Sequence, residues 1–261
     1  MRIFLITAAE PFYIPHFLKG FLEKYQGELV GVALIPPHPR KMSFFRYIKN
    51  HYNLYGLKDF IRMGFRYFKK KYVHKVMRSI GFNRPLDAEH LLKKHGCPIH
   101  RPKNVNSSKF RETLKDYDLD LIVSVASSQI FKTKLLNLPK IGCINMHGSL
   151  LPKHKGINPS FWALLEGDRE TGISVHFMDE SIDTGKVLKQ QKVPILENET
   201  LDSLSKKIAN LGVDVLIEAL NLIESGIADK KAFYPTGEGS YHSFPTKSEG
   251  KEFRKKGKKF L

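Results

Sequence analysis

The first 35 residues alternate strand, helix and strand signals, and no other feature constrains the fold as strongly. RIFLITA (2–8) is a short continuous apolar run of the kind a buried strand shows. HFLKGFLEKY (16–25) spaces its apolar residues as a helix does, and ELVGVALI (28–35) is a second strand-like run. A crossover helix between two such strands makes them parallel neighbours. The opening therefore predicts an α/β fold built on a doubly wound, mostly parallel sheet.

The remainder of the chain continues the pattern with two departures. DAEHLLKKHG (87–96) and SSKFRETLKDY (107–117) read as helices, the second with Ser107 or Ser108 as N-cap, and CPIHR between them as a short strand. DLDLIVSVA (118–126) reads as a central strand, and IGCINMH (141–147) as a strand ending in polar residues. SFWALLEG (160–167) is a helix ended by Gly167. TGISVHFMD (171–179) and GKVLKQQKVPI (185–195) are strands around the turn ESIDTG, and residues 200–226 form a long amphipathic helix. The first departure follows PPHPRK (36–41), where a helical insert of basic and aromatic residues is expected over about 40–82, broken near Gly56 or Gly64. The second is a polar, basic end without period, so a domain over 1–226 is expected to carry a loose tail over 227–261 that packs locally.

Charge narrows the partners. The formal net charge is +17, and from Arg40 to Ile80 twelve Lys or Arg stand against the single acid Asp59. Such a field favours nucleic acid, nucleotides, polyglutamylated cofactors or anionic lipid. The insert itself has three readings: helix packing with a solvated face, an RNA contact, or a helix lying on an anionic membrane surface. With no run of 18 apolar residues, no transmembrane segment is expected. The first residues read as a strand rather than a signal peptide, and the two distant cysteines, Cys97 and Cys143, fit a reducing compartment. A cytoplasmic location is expected.

Open α/β sheets bind ligands at the carboxyl ends of their strands. Asn145-Met146-His147 closes one strand, and Asp183-Thr184-Gly185 lies in a turn between two others. TAAEPFY stands where a glycine-rich dinucleotide loop would follow the first strand, so no dinucleotide cofactor is expected. HGSLLP is not a nucleophile elbow, which leaves Ser149 to shape the loop after His147. His147, His154 and His176 make no compact metal signature, so no metal is expected.

GCINMHGSLLPKHKG (142–156) followed by GDRETGISVHFMDESIDTG (167–185) resembles the core signature of the folate-dependent formyltransferases, a family that includes methionyl-tRNA, glycinamide ribonucleotide and nucleotide-sugar enzymes. The resemblance is strong over about 118–195, weaker over the first 35 residues and absent from the insert. It implies that Asn145, His147 and Asp183 are catalytic and that the formyl donor is 10-formyltetrahydrofolate. The pterin would lie beside Ser128, Gln129, Ile130 and Phe131 and beside the loop that begins at Met178 and Asp179. His176 matches a histidine of the glycinamide ribonucleotide branch and is a candidate substrate contact. In the implied chemistry an amine attacks the formyl carbon, Asn145 donates to the developing oxyanion, a protonated His147 adds positive charge, and Asp183 orients that imidazolium. Only a neutral amine attacks, so activity should fall at acid pH.

The acceptor expected from the resemblance is an anionic small-molecule amine, an amino sugar on a nucleotide, with methionyl-tRNA as the alternative. The glycinamide ribonucleotide branch is disfavoured because this chain lacks its glycine-rich phosphate loop. A non-catalytic folate-binding protein is the alternative of another class, opposed by the presence together of Asn145, His147 and Asp183.

Overall fold

The computed structural model describes residues 1–79 and 87–261, with the backbone alone at Lys71 and over 73–79. Strands β1 (Arg2–Ala8), β2 (Glu28–Ile35), β3 (Ile99–His100), β4 (Leu121–Val125), β5 (Gly142–His147), β7 (Glu170–Phe177) and β8 (Val187–Pro194) form one sheet in the order β3-β2-β1-β4-β5-β7-β8. Neighbours from β3 to β5 are parallel, and β7 and β8 add an antiparallel edge. The doubly wound, mostly parallel sheet expected from the opening residues is what forms. The order reverses between β1 and β4, so the chain lays helices on both faces and opens a crevice at the carboxyl ends of these strands. A second small sheet pairs β6 (Lys155–Gly156) with β9 (Tyr241–His242).

Alternation along the strands divides the core in two. Ile3, Leu5, Val123, Ile144 and Val175 face α1 (Ile14–Lys24), α6 (Pro159–Glu166) and α7 (Leu201–Glu224) in the larger cluster. Phe4, Ile6, Ile122 and Cys143 face α4 (Ser108–Lys115) and α5 (Thr133–Leu136) in the smaller. Local signals set the helix ends. Ser107 accepts from the Phe110 N–H at the start of α4, Thr200 and Ser203 form a capping box on α7, and α6 stops at Gly167 with φ 80°. The short helix α3 (Ala88–Lys94) packs beside α1 and the edge strand β3, and α8 (Ala228–Lys231) follows α7.

The insert forms α2 (Phe44–Ser79), interrupted at Gly56. Of the two glycines expected to break it, Gly56 does so because its φ of 70° and ψ of 172° leave the helical region, and a tail residue caps the resulting end. Arg254 Nη1 donates to the Leu54 and Tyr55 carbonyls, at 2.9 Å each. The expected end of the insert, near 82, lies outside the described residues.

The tail is not loose. Thr246 and Glu249 form a capping box on α9 (Lys247–Lys255), and Phe253 and Phe260, 0% and 2% exposed, join the larger core cluster. Phe253 stacks on Phe161 of α6 with centroids 4.8 Å apart. Gly250 brings α9 against α2, since a Cβ there would lie 2.3 Å from the Leu54 carbonyl oxygen.

Candidate functional site

Asn145 and His147 are two residues apart on β5 and so project from the same face, while Met146 between them points into the core against Gly212 of α7. Asp183 reaches the same place from the β7–β8 turn. It holds a left-handed φ of 54°, which Asp tolerates better than most residues, and Thr184 anchors the turn by donating to Asp179 Oδ1 at 2.8 Å. Gly185 is obligatory there, because a Cβ would sit 1.9 Å from the Phe177 carbonyl oxygen. Gly185→Ala should therefore lower stability by more than about 2 kcal/mol and displace Asp183; a urea melt within 0.5 kcal/mol of the parent, on the order of surface substitutions, would contradict that packing.

The Asp183 carboxylate gathers the other groups. Its Oδ2 accepts from the Gly156 backbone N–H at 2.8 Å and lies 3.5 Å from His147 Nδ1. Its Oδ1 is 3.4 Å from both Asn145 Nδ2 and His176 Nε2. Burial alone would raise this carboxyl; His147, His176 and the Gly156 N–H outweigh burial and hold it down at about 2, so Asp183 is ionised at neutral pH.

Burial disfavours the charged form of His147 as well, and there it wins. Its ring is 6% exposed, and desolvation pushes it below the ordinary 6.5, with Asp183 and the His154 carbonyl offsetting only part of that. The neutral ring carries its hydrogen on Nε2, which donates to the His154 carbonyl at 2.8 Å. Nδ1 then holds a lone pair facing an anion. Burial thus favours the neutral ring over the protonated His147 expected from the resemblance, and the Asp183 carboxylate lies where it would stabilise an imidazolium on that ring.

His176 lies behind this group, 2% exposed. Its Nδ1–H donates to the Phe177 carbonyl at 2.7 Å, and its Nε2 lies 3.4 Å from both Asn145 Nδ2 and Asp183 Oδ1. It orients Asn145 from beneath. Both Asn145 contacts are long, so the amide can exchange one for an incoming oxygen.

The candidate pterin residues lie at the adjoining strand ends. Ser128 donates to the Pro36 carbonyl at 2.6 Å, and the Gln129 side chain binds the Val105 N–H and the Lys103 carbonyl, so both side chains fasten the β4 loop. Phe131 is buried in the smaller core cluster with Met178 packed against it, whereas Ile130 is 60% exposed. Asp179 holds Ser181 and Thr184. Thr133 donates to Glu180, which ties the loops after β4 and β7 into one wall.

Apart from Ser149, which HGSLLP marked as shaping the loop after His147, the groups around that loop left no signal in the sequence. Ser149 donates to the Lys153 carbonyl at 2.7 Å and curls the loop after His147. That loop supplies the His154 carbonyl and the Gly156 N–H, and β9 pairs with it through Tyr241 and His242. His154 Nε2 donates to Asp168 at 2.8 Å, its Nδ1 lies 3.2 Å from His242 Nε2, and Trp162 stacks on His242 with centroids 4.2 Å apart. His154, Glu166 and His242 bring ligand-type atoms within 4.8 Å of one another, a grouping the sequence reading did not contain; hydrogen bonds to Asp168 and Ser240 and between the rings occupy the two histidines. At the β1 end, Glu10 accepts the Phe12, Tyr13 and Ile14 N–H groups at 2.6, 2.7 and 3.3 Å. A side-chain carboxylate thus fills the place at the start of α1 that a glycine-rich loop would offer to phosphate.

A family model described as formyl transferase matches residues 69–220. Methionyl-tRNA formyltransferase from Kosmotoga olearia is 37% identical over 142 residues, 54% of this chain and 46% of that relative. The chain spans about half the length of the curated relatives it matches. Among solved structures, glycinamide ribonucleotide transformylase 1 from Symbiobacterium toebii superposes with a TM-score of 0.59 at 18% identity, over 87% of this chain and 88% of that one. An N-formyltransferase from Helicobacter canadensis, in complex with folinic acid and dTDP-3-aminofucose, gives 0.56 at 20% identity over 93% and 71%. These two likenesses establish the fold.

Proposed function

The chain belongs to the formyl transferase family, and on that premise we propose that it moves a formyl group from 10-formyltetrahydrofolate to a primary amine. The observation that carries the proposal is a His147 whose burial favours the neutral ring, with its Nδ1 turned toward an ionised Asp183 3.5 Å away. A hydrogen-bond donor, a base and a buried anion are the groups that acyl transfer between two amines requires. The surroundings also fit a pterin-bearing donor: Ile130 is exposed, Met178 is half-buried, and the two loops carrying them are joined through Thr133 and Glu180. When bound, that donor supplies the formyl group and the leaving nitrogen.

The chain's own residues do the rest. As the amine bonds to the formyl carbon, Asn145 turns an amide hydrogen to the oxygen where negative charge builds, a contribution of about 3–4 kcal/mol for such a donor. His147 Nδ1 takes the proton the amine releases, and Asp183 stabilises the imidazolium. The same proton is then at hand for the leaving nitrogen as its bond to the formyl carbon breaks. His176 and the Gly156 N–H hold Asn145 and Asp183 in place.

For the acceptor, the 37% identity to a methionyl-tRNA formyltransferase and the +17 charge favour the amine of methionyl-tRNA. An amino sugar on a nucleotide is the second reading, supported by the fold shared over 93% of this chain with an enzyme that holds dTDP-3-aminofucose. Tetrahydrofolate release in the presence of each acceptor tests both. Turnover with methionyl-tRNA alone selects the first, turnover with a nucleotide amino sugar selects the second, and silence with both while folate binds would overturn the acceptor assignment.

The pH profile carries a further prediction. Two groups must be unprotonated, the acceptor amine, ordinarily at about 8 for an α-amine, and His147, below 6.5. Log kcat/KM should fall with slope one as pH drops below the amine value, and steepen toward two below the His147 value. A profile flat from pH 8 to about 5 would remove the assignment.

A further inference from the structure

Helix α2 carries an apolar stripe that the rest of the described chain leaves uncovered. Beyond Gly56, residues Leu57, Ile61, Phe65, Phe68 and Tyr72 recur at intervals of four, four, three and four, which places them on one side of a helix. Each is between 59% and 70% exposed. The opposite side meets the protein: Arg66 Nη1 binds Asp202 Oδ1 at 2.7 Å, and Lys70 reaches the Pro11 carbonyl. One step round from the stripe, Lys58, Arg62 and Lys69 form an exposed cationic border. The half of α2 before Gly56 repeats the arrangement, with Phe44, Phe45 and Ile48 exposed beside Arg46 and Lys49.

An uncovered apolar patch of this extent marks a binding surface, and its chemistry selects among partners. RNA would meet the cations but gains nothing from Leu57 and Ile61. A second copy of the chain would bury the apolar side chains but bring another +17 charge against this one. An anionic lipid surface uses both features at once, taking the apolar side chains below the headgroups and the cations at phosphate level. No helix among the described residues is long and apolar enough to cross a membrane, so α2 would lie on the surface. The family match begins at residue 69, so most of the stripe precedes the part that the family model describes.

We propose that α2 docks the protein on an anionic lipid surface, with Leu57, Ile61, Phe65, Phe68 and Tyr72 buried at the boundary between headgroups and acyl chains and Lys58, Arg62 and Lys69 against lipid phosphates. This stands independently of the formyl-transfer reading. The test is flotation of the full chain with vesicles of phosphatidylcholine alone or with phosphatidylglycerol added. The chain should float with the anionic vesicles, weakly or not at all with the neutral ones, and less as salt rises. Ile61→Ser/Phe65→Ser/Phe68→Ser alters exposed positions only, so its thermal melt should be unchanged while vesicle partition drops more than about tenfold. Lys58→Glu/Arg62→Glu/Lys69→Glu should abolish the preference for phosphatidylglycerol. Failure of the parent chain to float with anionic vesicles would overturn the proposal. So would a parent dimer in sedimentation that the serine variant does not form, or tRNA binding that the serine variant loses while vesicle binding persists.

Discussion

His147→Ala should lower kcat by about a thousandfold while leaving folate binding in place, because the substitution removes the base without touching the loops after β4 and β7. The expectation rests on two contacts with separate roles. The bond from Nε2 to the His154 carbonyl fixes the tautomer, and the 3.5 Å approach of Nδ1 to Asp183 stabilises the proton once it arrives. His147→Gln is the informative companion: its side-chain amide can still donate to the His154 carbonyl, but it accepts no proton at neutral pH, so activity should fall as far as in the alanine variant. Asp183→Asn should cost about a hundredfold or more, since the imidazolium then forms without a counter-charge. Both His147 variants should lose the steeper acid limb of kcat/KM, leaving only the limb of the acceptor amine. An unchanged kcat in His147→Ala would remove the catalytic assignment, whatever the acceptor.

Phe253→Ala should destabilise the whole fold by about 3–5 kcal/mol, read as a shift in the urea midpoint without a separate transition. Phe253 is fully buried, stacks on Phe161 at 4.8 Å and lies 4.6 Å from Phe260. Its removal opens a cavity between α6, α9 and the end of the chain, and these groups cannot close on it without moving α2, which α9 holds through Arg254. If residues 227–261 were a tail apart from the domain at 1–226, the loss would stay under about 1 kcal/mol, as for a surface site. The variant thus tests the domain boundary drawn at 226 as well as the packing.

What the sequence made legible follows from which interactions are local. The sheet could be read because parallel strands buried on both faces are written as continuous apolar runs, as in RIFLITA and ELVGVALI. Asn145, His147 and Asp183 could be singled out because the strings around them are distinctive, and the structure brings all three side chains together at Asp183. How deeply the tail packs was not legible because KSEGKEFRKKGKKFL has only two large buried side chains among its charges, although Thr246-Lys247-Ser248-Glu249 carries a capping-box signature that marks α9. The groups behind His147 were out of reach for another reason. His154 and His242 are 88 residues apart, and the His147 ring is held by a backbone carbonyl, which no side-chain pattern records. The charge state of His147 likewise depends on burial, which the motif does not carry. In α2 the aromatic spacing was visible, but whether it faced core or solvent was not, because a helix stripe looks the same in either case.

The bend at Gly56 has a mechanical meaning. Helices broken at a glycine commonly swivel, but here Arg254 grips both carbonyls exposed at the break, and Gly250 lets α9 lie directly against Leu54. The joint is locked to the same packed unit that supports α6 and, through Trp162 and His242, the loop under His147. The half of α2 beyond Gly56, held at this joint and again where Arg66 meets Asp202, is therefore a bracket of fixed angle, and docking on lipid as proposed would keep the mouth of the crevice at one height above the headgroups.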